Sequence, residues 1–285
     1  MGEGIALTGS IHSIRTRVFA KGTLRGVVNR ARPRYNCLSE RPRDRNHMKQ
    51  ALDGHNKAAY VNDMFGRIAE RYDLMNALMT AGRDRVWRRL MARMAEIPPG
   101  GVVLDLATGT GDVGLAVLEH QPAARVVGVD FAFPMMAVGR RKVFAEGVVG
   151  FFFAAADALV LPFRDNSFDA VLHAFLMRNV IDIERGFAEQ YRVLKPGRKM
   201  VCLEATMPSF PLFRRLFHFG FGTLIPRIGG LVTGQREAYT YLPESILRFP
   251  SPERLSAAIG RAGFQEVRYR RVMFGAVAIH AAVKP

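Results

Sequence analysis

An α/β fold, with a doubly wound, mostly parallel seven-stranded sheet closed by an antiparallel C-terminal hairpin, is what this 285-residue sequence predicts. Three observations predict it. Short apolar runs alternate with helical patterns between residues 102 and 206, the rhythm of strand–helix–strand units. A glycine-rich turn separates the first apolar run from its helix. Two β-rich runs end the chain, with Gly275 between them.

The elements follow in order. From Lys57 to Arg93 the pattern is helical, with Val61, Met64, Phe65, Ile68 and Tyr72 at three-and-four spacing and Val86, Leu90, Met91 and Met94 repeating it. Pro98-Pro99-Gly100-Gly101 stops that run. Strands are expected at Val102–Leu106, Arg125–Asp130, Phe151–Ala155, Phe168–Ala174 and Lys199–Thr206. Helices between them fall at Val113–His120, Pro134–Glu146 and Ile183–Leu194. Residues 207–250, rich in Phe, Pro, Gly and Arg, show no clean strand and read as an irregular insertion covering the acceptor. A helix at Pro252–Ala262 and strands at Glu266–Met273 and Val277–Val283 complete the chain. It therefore divides into a leader, 1–47, and one domain, 48–285, whose N-terminal helices occupy 48–97.

Composition narrows the function. With 49% hydrophobic residues the chain can bury a core, and wholesale disorder is excluded. The formal net charge is +16, but residues 1–47 carry ten Lys+Arg against three Asp+Glu, so +7 belongs to the leader and +9 to the domain. The leader reads as a disordered basic arm, an organelle transit peptide, or sequence ahead of the true start; we favour the last, because Met48 opens a helical pattern at once. Only Phe19 and Tyr35 alternate with its arginines, weak support for a nucleic-acid arm. Cys37 and Cys202 fit neither a metal spacing nor a disulfide framework, and the seven histidines form no metal pair at helical spacing. No run reaches the ~18 apolar residues of a membrane span; Phe210 to Ile225 is broken by Arg214, Arg215 and His218.

The glycine turn reads Asp105-Leu106-Ala107-Thr108-Gly109-Thr110-Gly111-Asp112-Val113-Gly114. Taken literally it is a dinucleotide fingerprint, with Asp130 at the end of the next strand as the ribose-binding acid. Charge argues otherwise. Asp105 and Asp112 flank the place where a pyrophosphate would lie, and they would repel it. They suit a cofactor that presents a cation, as S-adenosylmethionine does with its ammonium and sulfonium. Gly109 and Gly111 then allow close backbone approach, and Asp130 accepts from the ribose hydroxyls. Asp157, ending the third strand, can accept the adenine amino group, with the next N–H, that of Ala158, answering a ring nitrogen. Taken alone, Asp157 also reads as an N-cap or turn aspartate.

Further runs carry a resemblance. Tyr72-Asp73-Leu74-Met75-Asn76, Arg85-Val86-Trp87-Arg88-Arg89, the glycine turn, Leu161-Pro162-Phe163-Arg164-Asp165-Asn166-Ser167-Phe168-Asp169 and Met177-Arg178-Asn179-Val180 resemble the ubiquinone/menaquinone biosynthesis C-methyltransferases. Pro226-Arg227-Ile228-Gly229-Gly230-Leu231-Val232, Tyr239-Thr240-Tyr241-Leu242-Pro243-Glu244-Ser245-Ile246 and Arg248-Phe249-Pro250 are more specific still. The likeness spans about residues 57–283. It implies a Rossmann-like class I methyltransferase fold, S-adenosylmethionine as cofactor with contacts at Thr110, Asp130, Asp157 and Ala158, and C-methylation of a polyprenylated quinol. The acceptor, demethylmenaquinol or the benzoquinol precursor of ubiquinol, stays open. The sequence departs from the family's pattern at Ala174 (often Ser), Leu176 (Gly) and Arg198 (Gly). The first two are expected on the substrate side, leaving cofactor binding untouched.

Methyl transfer from a sulfonium needs no metal; the acceptor carbon becomes nucleophilic when a neighbouring phenol, of pKa near 10, ionises. Arg178, just past the fourth strand, is the candidate to stabilise that phenolate. His173, His280, Tyr241 and Glu204 are candidate bases, but the histidines, each in an expected strand, read first as satisfied core or edge residues, and Tyr241 and Glu204 carry similar structural readings. Phe210, Phe213, Phe217, Phe219, Phe221 and Ile225 are expected to receive an isoprenoid tail, with Arg214, Arg215 and Arg227 toward anionic lipid. The expected setting is the cytoplasm, at the inner face of the membrane, or the mitochondrial matrix if the leader is a transit peptide. Transient contact with an anionic membrane surface is expected, nucleic acid is not, and a homodimer is left open. Rivals are a nucleic-acid methyltransferase, disfavoured because Ala174-Phe175-Leu176-Met177-Arg178-Asn179 replaces an Asn/Asp-Pro-Pro-aromatic motif, a nicotinamide-dependent oxidoreductase, and a non-catalytic cofactor-binding protein.

Overall fold

The computed structural model describes residues 56–208 and 210–285. The basic leader and Cys37 lie outside the described residues, as do the side chains of His218 and Phe221. The helical run at the N-terminus is three helices, α1 (Lys57–Ile68), α2 (Tyr72–Thr80) and α3 (Arg83–Met94). Ala81 and Gly82, at φ 50° and 70°, break it between α2 and α3; the left-handed conformation ends a helix, and glycine adopts it without strain.

The sheet is built from β1 (Val102–Leu106), β2 (Arg125–Asp130), β3 (Phe151–Ala155), β4 (Phe168–Ala174), β5 (Leu194–Ala205), β6 (Gln265–Val272) and β7 (Val277–Val283). Its order is β3-β2-β1-β4-β5-β7-β6. The first five strands are parallel, and β7 pairs antiparallel with both β5 and β6. Helices α4 (Asp112–His120), α5 (Phe133–Ala145) and α6 (Ile183–Val193) are the crossovers. Strand β4 is buried at every position but Ala174, as expected of a parallel strand covered on both faces. Strand β5 begins at Leu194, five residues before the expected Lys199, because Leu194 already pairs with Phe168; the register then shifts, with Gly197 at φ 71°, before Lys199 pairs with Ala170.

Residues 207–250 are not irregular. They form α7 (Pro211–Phe219), a single π-helical turn (Gly220–Leu224), α8 (Ile225–Thr233) and α9 (Arg236–Arg248), followed by α10 (Pro252–Arg261). Proline and glycine concealed the helices. Pro226 lies in the first turn of α8, where its missing N–H costs nothing. Pro243 lies inside α9, where one backbone bond is forgone. Gly229 lets α8 close onto α9: a β-carbon there would come within 2.2 Å of the buried Tyr239 ring. Tyr239 and Tyr241 in turn pack with Tyr60, Val61, Met64 and Met75, so the insertion and the N-terminal helices form one cap over the sheet's carboxyl edge.

In an open helix Gly→Ala stabilises by about 1 kcal/mol; at Gly229 packing reverses the sign. Gly229→Ala is expected to destabilise by roughly 1–3 kcal/mol, read as a lower urea midpoint at unchanged m.

Candidate active site

From β1 the chain winds outward through β2 and β3, then returns to β4 on the other side of β1. At that switch point the carboxyl ends of β1 and β4 diverge and leave a crevice. The glycine turn folds back over it, with Ala107, Gly109 and Gly111 at positive φ and the Gly111 N–H bonded to the Thr108 carbonyl at 2.8 Å.

Two carboxylates organise this turn. Asp105 is fully buried; one oxygen accepts from the Thr108 hydroxyl (2.6 Å) and the Gly114 N–H (2.9 Å), and the other, Oδ1, has no partner. Burial pushes its carboxyl up to about 7. Asp130 accepts from the Gly109 and Ala132 N–H groups, each at 2.8 Å, and burial raises it too. Gly109, Asp130, Phe131, Ala174 and Leu176 line a slot roofed by Phe65 and Tyr72. Asp105, Thr110 and Gly111 lie beside this slot without lining it. Asp157 and Ala158 line neither this slot nor the cavity next to it. The Asp157 carboxylate accepts from the Leu159 N–H at 2.9 Å, a turn, and Ala158 packs in the core. The Ala156 N–H donates to the Asp130 carbonyl (3.1 Å), which keeps Asp157 at the same sheet edge.

Asp112 does not face the slot as expected. It pairs with Arg88 (3.0 Å) and Lys142, and Lys142 also holds Asp73 (2.8 Å), which accepts from the Thr110 hydroxyl. Its charge is answered by helices the turn motif does not include. Of the two acids flanking the turn, only Asp105 keeps an unpaired oxygen.

Beyond Phe65, Tyr72 and Phe175, which line both spaces, a mostly apolar cavity opens under the cap. Met64, Met75, Trp87, Tyr239, Tyr241 and Ile246 contribute to its walls, and Arg178 is the one charged residue among the described residues lining it. The apolar stripe at helical spacing on α1 supplies Met64, Phe65 and Ile68 to the wall, because a cavity wall and a packed core need the same apolar periodicity. The two substitutions expected on the substrate side, Ala174 and Leu176, line the slot with Gly109 and Asp130 and not the larger cavity. They flank the turn of β4's end, which faces the slot, while Arg178 is carried further round.

The loop bearing Arg178 is fixed from three elements. Lys57 of α1 donates to the Arg178 and Val180 carbonyls, both at 2.9 Å. Tyr241 of α9 donates to Asn179 (3.2 Å), and Glu204 of β5 accepts from the Met177 N–H (2.6 Å). The Arg178 guanidinium donates to the Phe175 carbonyl at 2.7 Å and lies 3.6 Å from Glu204 Oε2. Among the candidate bases, His173 is fully buried, pushed down to about 3 by burial, and lines neither space; His280 shares a hydrogen bond with the Pro252 carbonyl on the far side of the sheet. Tyr241 reaches the cavity, but burial pushes its phenol up to about 12. Burial pushes Glu204 up to about 7. Of the phenylalanines expected to receive an isoprenoid tail, Phe217 lines the cavity, Phe213 stacks on Phe274 at 4.2 Å, and Phe210 and Phe219 are exposed. Ile225 packs in the cap, and the Phe221 side chain lies outside the described residues.

A profile of the ubiE/COQ5 methyltransferase family matches residues 53–284. The chain belongs to that family. It is 47% identical over 222 residues to the demethylmenaquinone methyltransferase of Thermus thermophilus, covering 78% of this chain and all of that one. It is 43% identical over 230 residues to the ubiquinone/menaquinone biosynthesis C-methyltransferase UbiE of Geobacter sulfurreducens, covering 80% and 90%. Among solved structures, a SAM-dependent methyltransferase from Aquifex aeolicus superposes with a TM-score of 0.54 at 16% identity, over 75% of this chain and 98% of that one, a likeness of fold.

The protein is thus an S-adenosylmethionine-dependent methyltransferase. The residues present fit the cofactor. Asp105 Oδ1, buried beside the turn without a hydrogen-bond partner, is an acceptor that a cationic group could satisfy, and Gly109, at positive φ, brings backbone rather than side chain to the slot.

An acid whose folded pKa is raised disfavours folding once it must ionise. The cost is absent below the unfolded pKa near 4 and complete above about 7. Asp105→Asn is therefore expected to stabilise the ligand-free protein on the order of 3 kcal/mol at pH 8. Thermal midpoints at pH 5 and pH 8 should show the gain shrinking at the lower pH, while calorimetry shows weaker S-adenosylmethionine binding.

Proposed function

We propose that the protein methylates a ring carbon of a polyprenylated quinol, converting demethylmenaquinol to menaquinol, at the cavity under the cap. The observation that carries this reading is a mostly apolar cavity whose one charged lining residue, among those described, is Arg178. A quinol offers that combination its matching parts: an apolar ring and tail for the walls, and an ionisable hydroxyl for the guanidinium. Names of relatives at 47% and 43% identity support the same substrate class.

The bound cofactor would supply an activated methyl group, with Gly109 and Asp130 lining the slot that would hold it and Asp105 beside them. Everything else falls to the chain's own residues. Phe65, Tyr72 and Phe175, common to both spaces, set the acceptor ring against the slot and keep water out. Arg178 stabilises the phenolate in surroundings where a buried cation acts at low dielectric. Incubation with demethylmenaquinol should give menaquinol, and Arg178→Ala should lower kcat about 100-fold or more with little change in cofactor affinity. Absence of a methylated product from either quinol class would reject the reading.

Access to a lipid substrate calls for contact with a membrane. Among the described residues no helix is long and apolar enough to cross one. Phe210, Leu212, Phe219, Leu231 and Phe274 are exposed, near Arg214, Arg215 and Arg227 on the same helices or the adjoining hairpin. Such a face suits reversible docking on an anionic bilayer, with α7 carrying Phe217 into the cavity. Flotation should recover the protein with anionic vesicles at low salt and release it at high salt. Equal absence from neutral and anionic vesicles would remove the docking face.

A further inference from the structure

The Arg178–Glu204 pair is incomplete in a particular way. Arg178 Nε is a buried donor without a partner, and Glu204 Oε2 is a buried acceptor without one. The two groups belong to the same contact, Arg178 NH1 lying 3.6 Å from Oε2. Leaving a buried donor or acceptor unbonded is costly, so two such atoms on one contacting pair need an explanation. A hydroxyl accepts one hydrogen bond and donates another, and it satisfies both atoms at once. Arg178 lines the cavity, and the buried Glu204, which does not, is in contact with its guanidinium, so a hydroxyl that draws the guanidinium toward itself would reach the carboxylate through it.

We propose that Glu204 is a second catalytic residue, the base that takes the proton of the acceptor's ring hydroxyl while Arg178 holds the resulting phenolate. This rests on the phenolic substrate argued above. The O–H bond of the ring breaks, its electron pair stays on the ring oxygen, and the proton forms a new O–H bond at Glu204 Oε2. No redox partner is needed. The site holds one positive and one negative charge before the transfer and one of each after it, so a low-dielectric cavity does not oppose the step.

The surroundings agree. Burial raises the Glu204 carboxyl, which narrows the gap to a phenol from about six powers of ten to about three. Of the groups facing it, His173 on β4 is neutral and the buried Cys202 on β5 stays a thiol, because burial lowers the first and raises the second. Around Arg178, Lys57, Tyr72 and Tyr241 are the ionisable neighbours, and burial disfavours the charged form of each.

The test uses the full chain with 1-naphthol as a phenolic probe at pH 8. Absorbance reports whether the bound probe is phenol or phenolate, and calorimetry in two buffers of different ionisation enthalpy counts protons. The wild-type protein should bind phenolate with no net proton released, because Glu204 retains it. Glu204→Gln should either leave the probe as phenol or release one proton per phenolate formed. In turnover, the wild-type kcat should fall as pH drops through about 7, and Glu204→Gln should lose that limb with kcat down about 100-fold or more. A wild-type protein that binds the probe as intact phenol, or that sheds a full proton on binding it as phenolate, overturns the role of Glu204 and leaves the substrate class standing. Failure of the probe to bind at all overturns both. The wild-type proton count decides even if the variant does not fold.

Discussion

The chain of charges running Arg88–Asp112–Lys142–Asp73, with the Thr110 hydroxyl closing on Asp73, fixes the cap to the cofactor turn. Asp73 belongs to α2, Arg88 to α3, Asp112 to α4 and Lys142 to α5, so four helices meet in one network. Removing one member would leave a partly buried charge unanswered, which penalises any other placement of the cap. The cavity walls depend on that placement, because Tyr72 and Met75 ride on the helix that Asp73 anchors. The glycine turn is thereby shared: its backbone faces the slot and its first helical side chain holds the roof.

This division sets two chemistries on either side of Phe65, Tyr72 and Phe175, which line both spaces. On the slot side, polar atoms converge, and Asp105 keeps one oxygen open. On the cavity side nearly everything is apolar, and the open atoms are those of Arg178 and Glu204. Both carboxyls are raised to about 7 by burial, yet they answer to opposite needs. On the proposed mechanism Asp105 would lose its proton when a cation arrives beside it, whereas Glu204 would gain one. A protein stores such unsatisfied groups at a cost to its ligand-free stability, and they mark where its ligands make contact.

Much of the fold was legible because strand and helix periods differ and the parallel core is continuously apolar. Val102–Leu106 and Phe168–Ala174 could scarcely be anything else, and their order in the chain placed the crevice. The glycine turn and Asp130 followed from strand-end position alone. What escaped was long-range. Nothing local to Asp112 announces Arg88 and Lys142, which lie 24 and 30 residues away in the sequence. The helices of 207–250 were masked by Pro226, Pro243 and Gly229, whose compatibility with helix depends on a first turn, a forgone bond and a facing ring. Arg178 was found from the resemblance and its strand-end position, but its partnership with Glu204 required the register of β5 against β4.

The apolar character of the cavity does more than match a lipid tail. Carbon methylation of a phenolate by a sulfonium joins opposite charges and ends with neither, and water stabilises the separated charges more than their encounter. Walls of Met64, Met75, Tyr239 and Ile246 exclude that water. The same walls would make an isolated arginine costly, and Glu204, 3.6 Å from the guanidinium, offsets that cost. On the proposed mechanism a phenolate would take over as the counter-charge and leave Glu204 free to be neutral. The loose spacing of the pair fits that exchange, because a tight bidentate pair would have to be broken before a hydroxyl could join it.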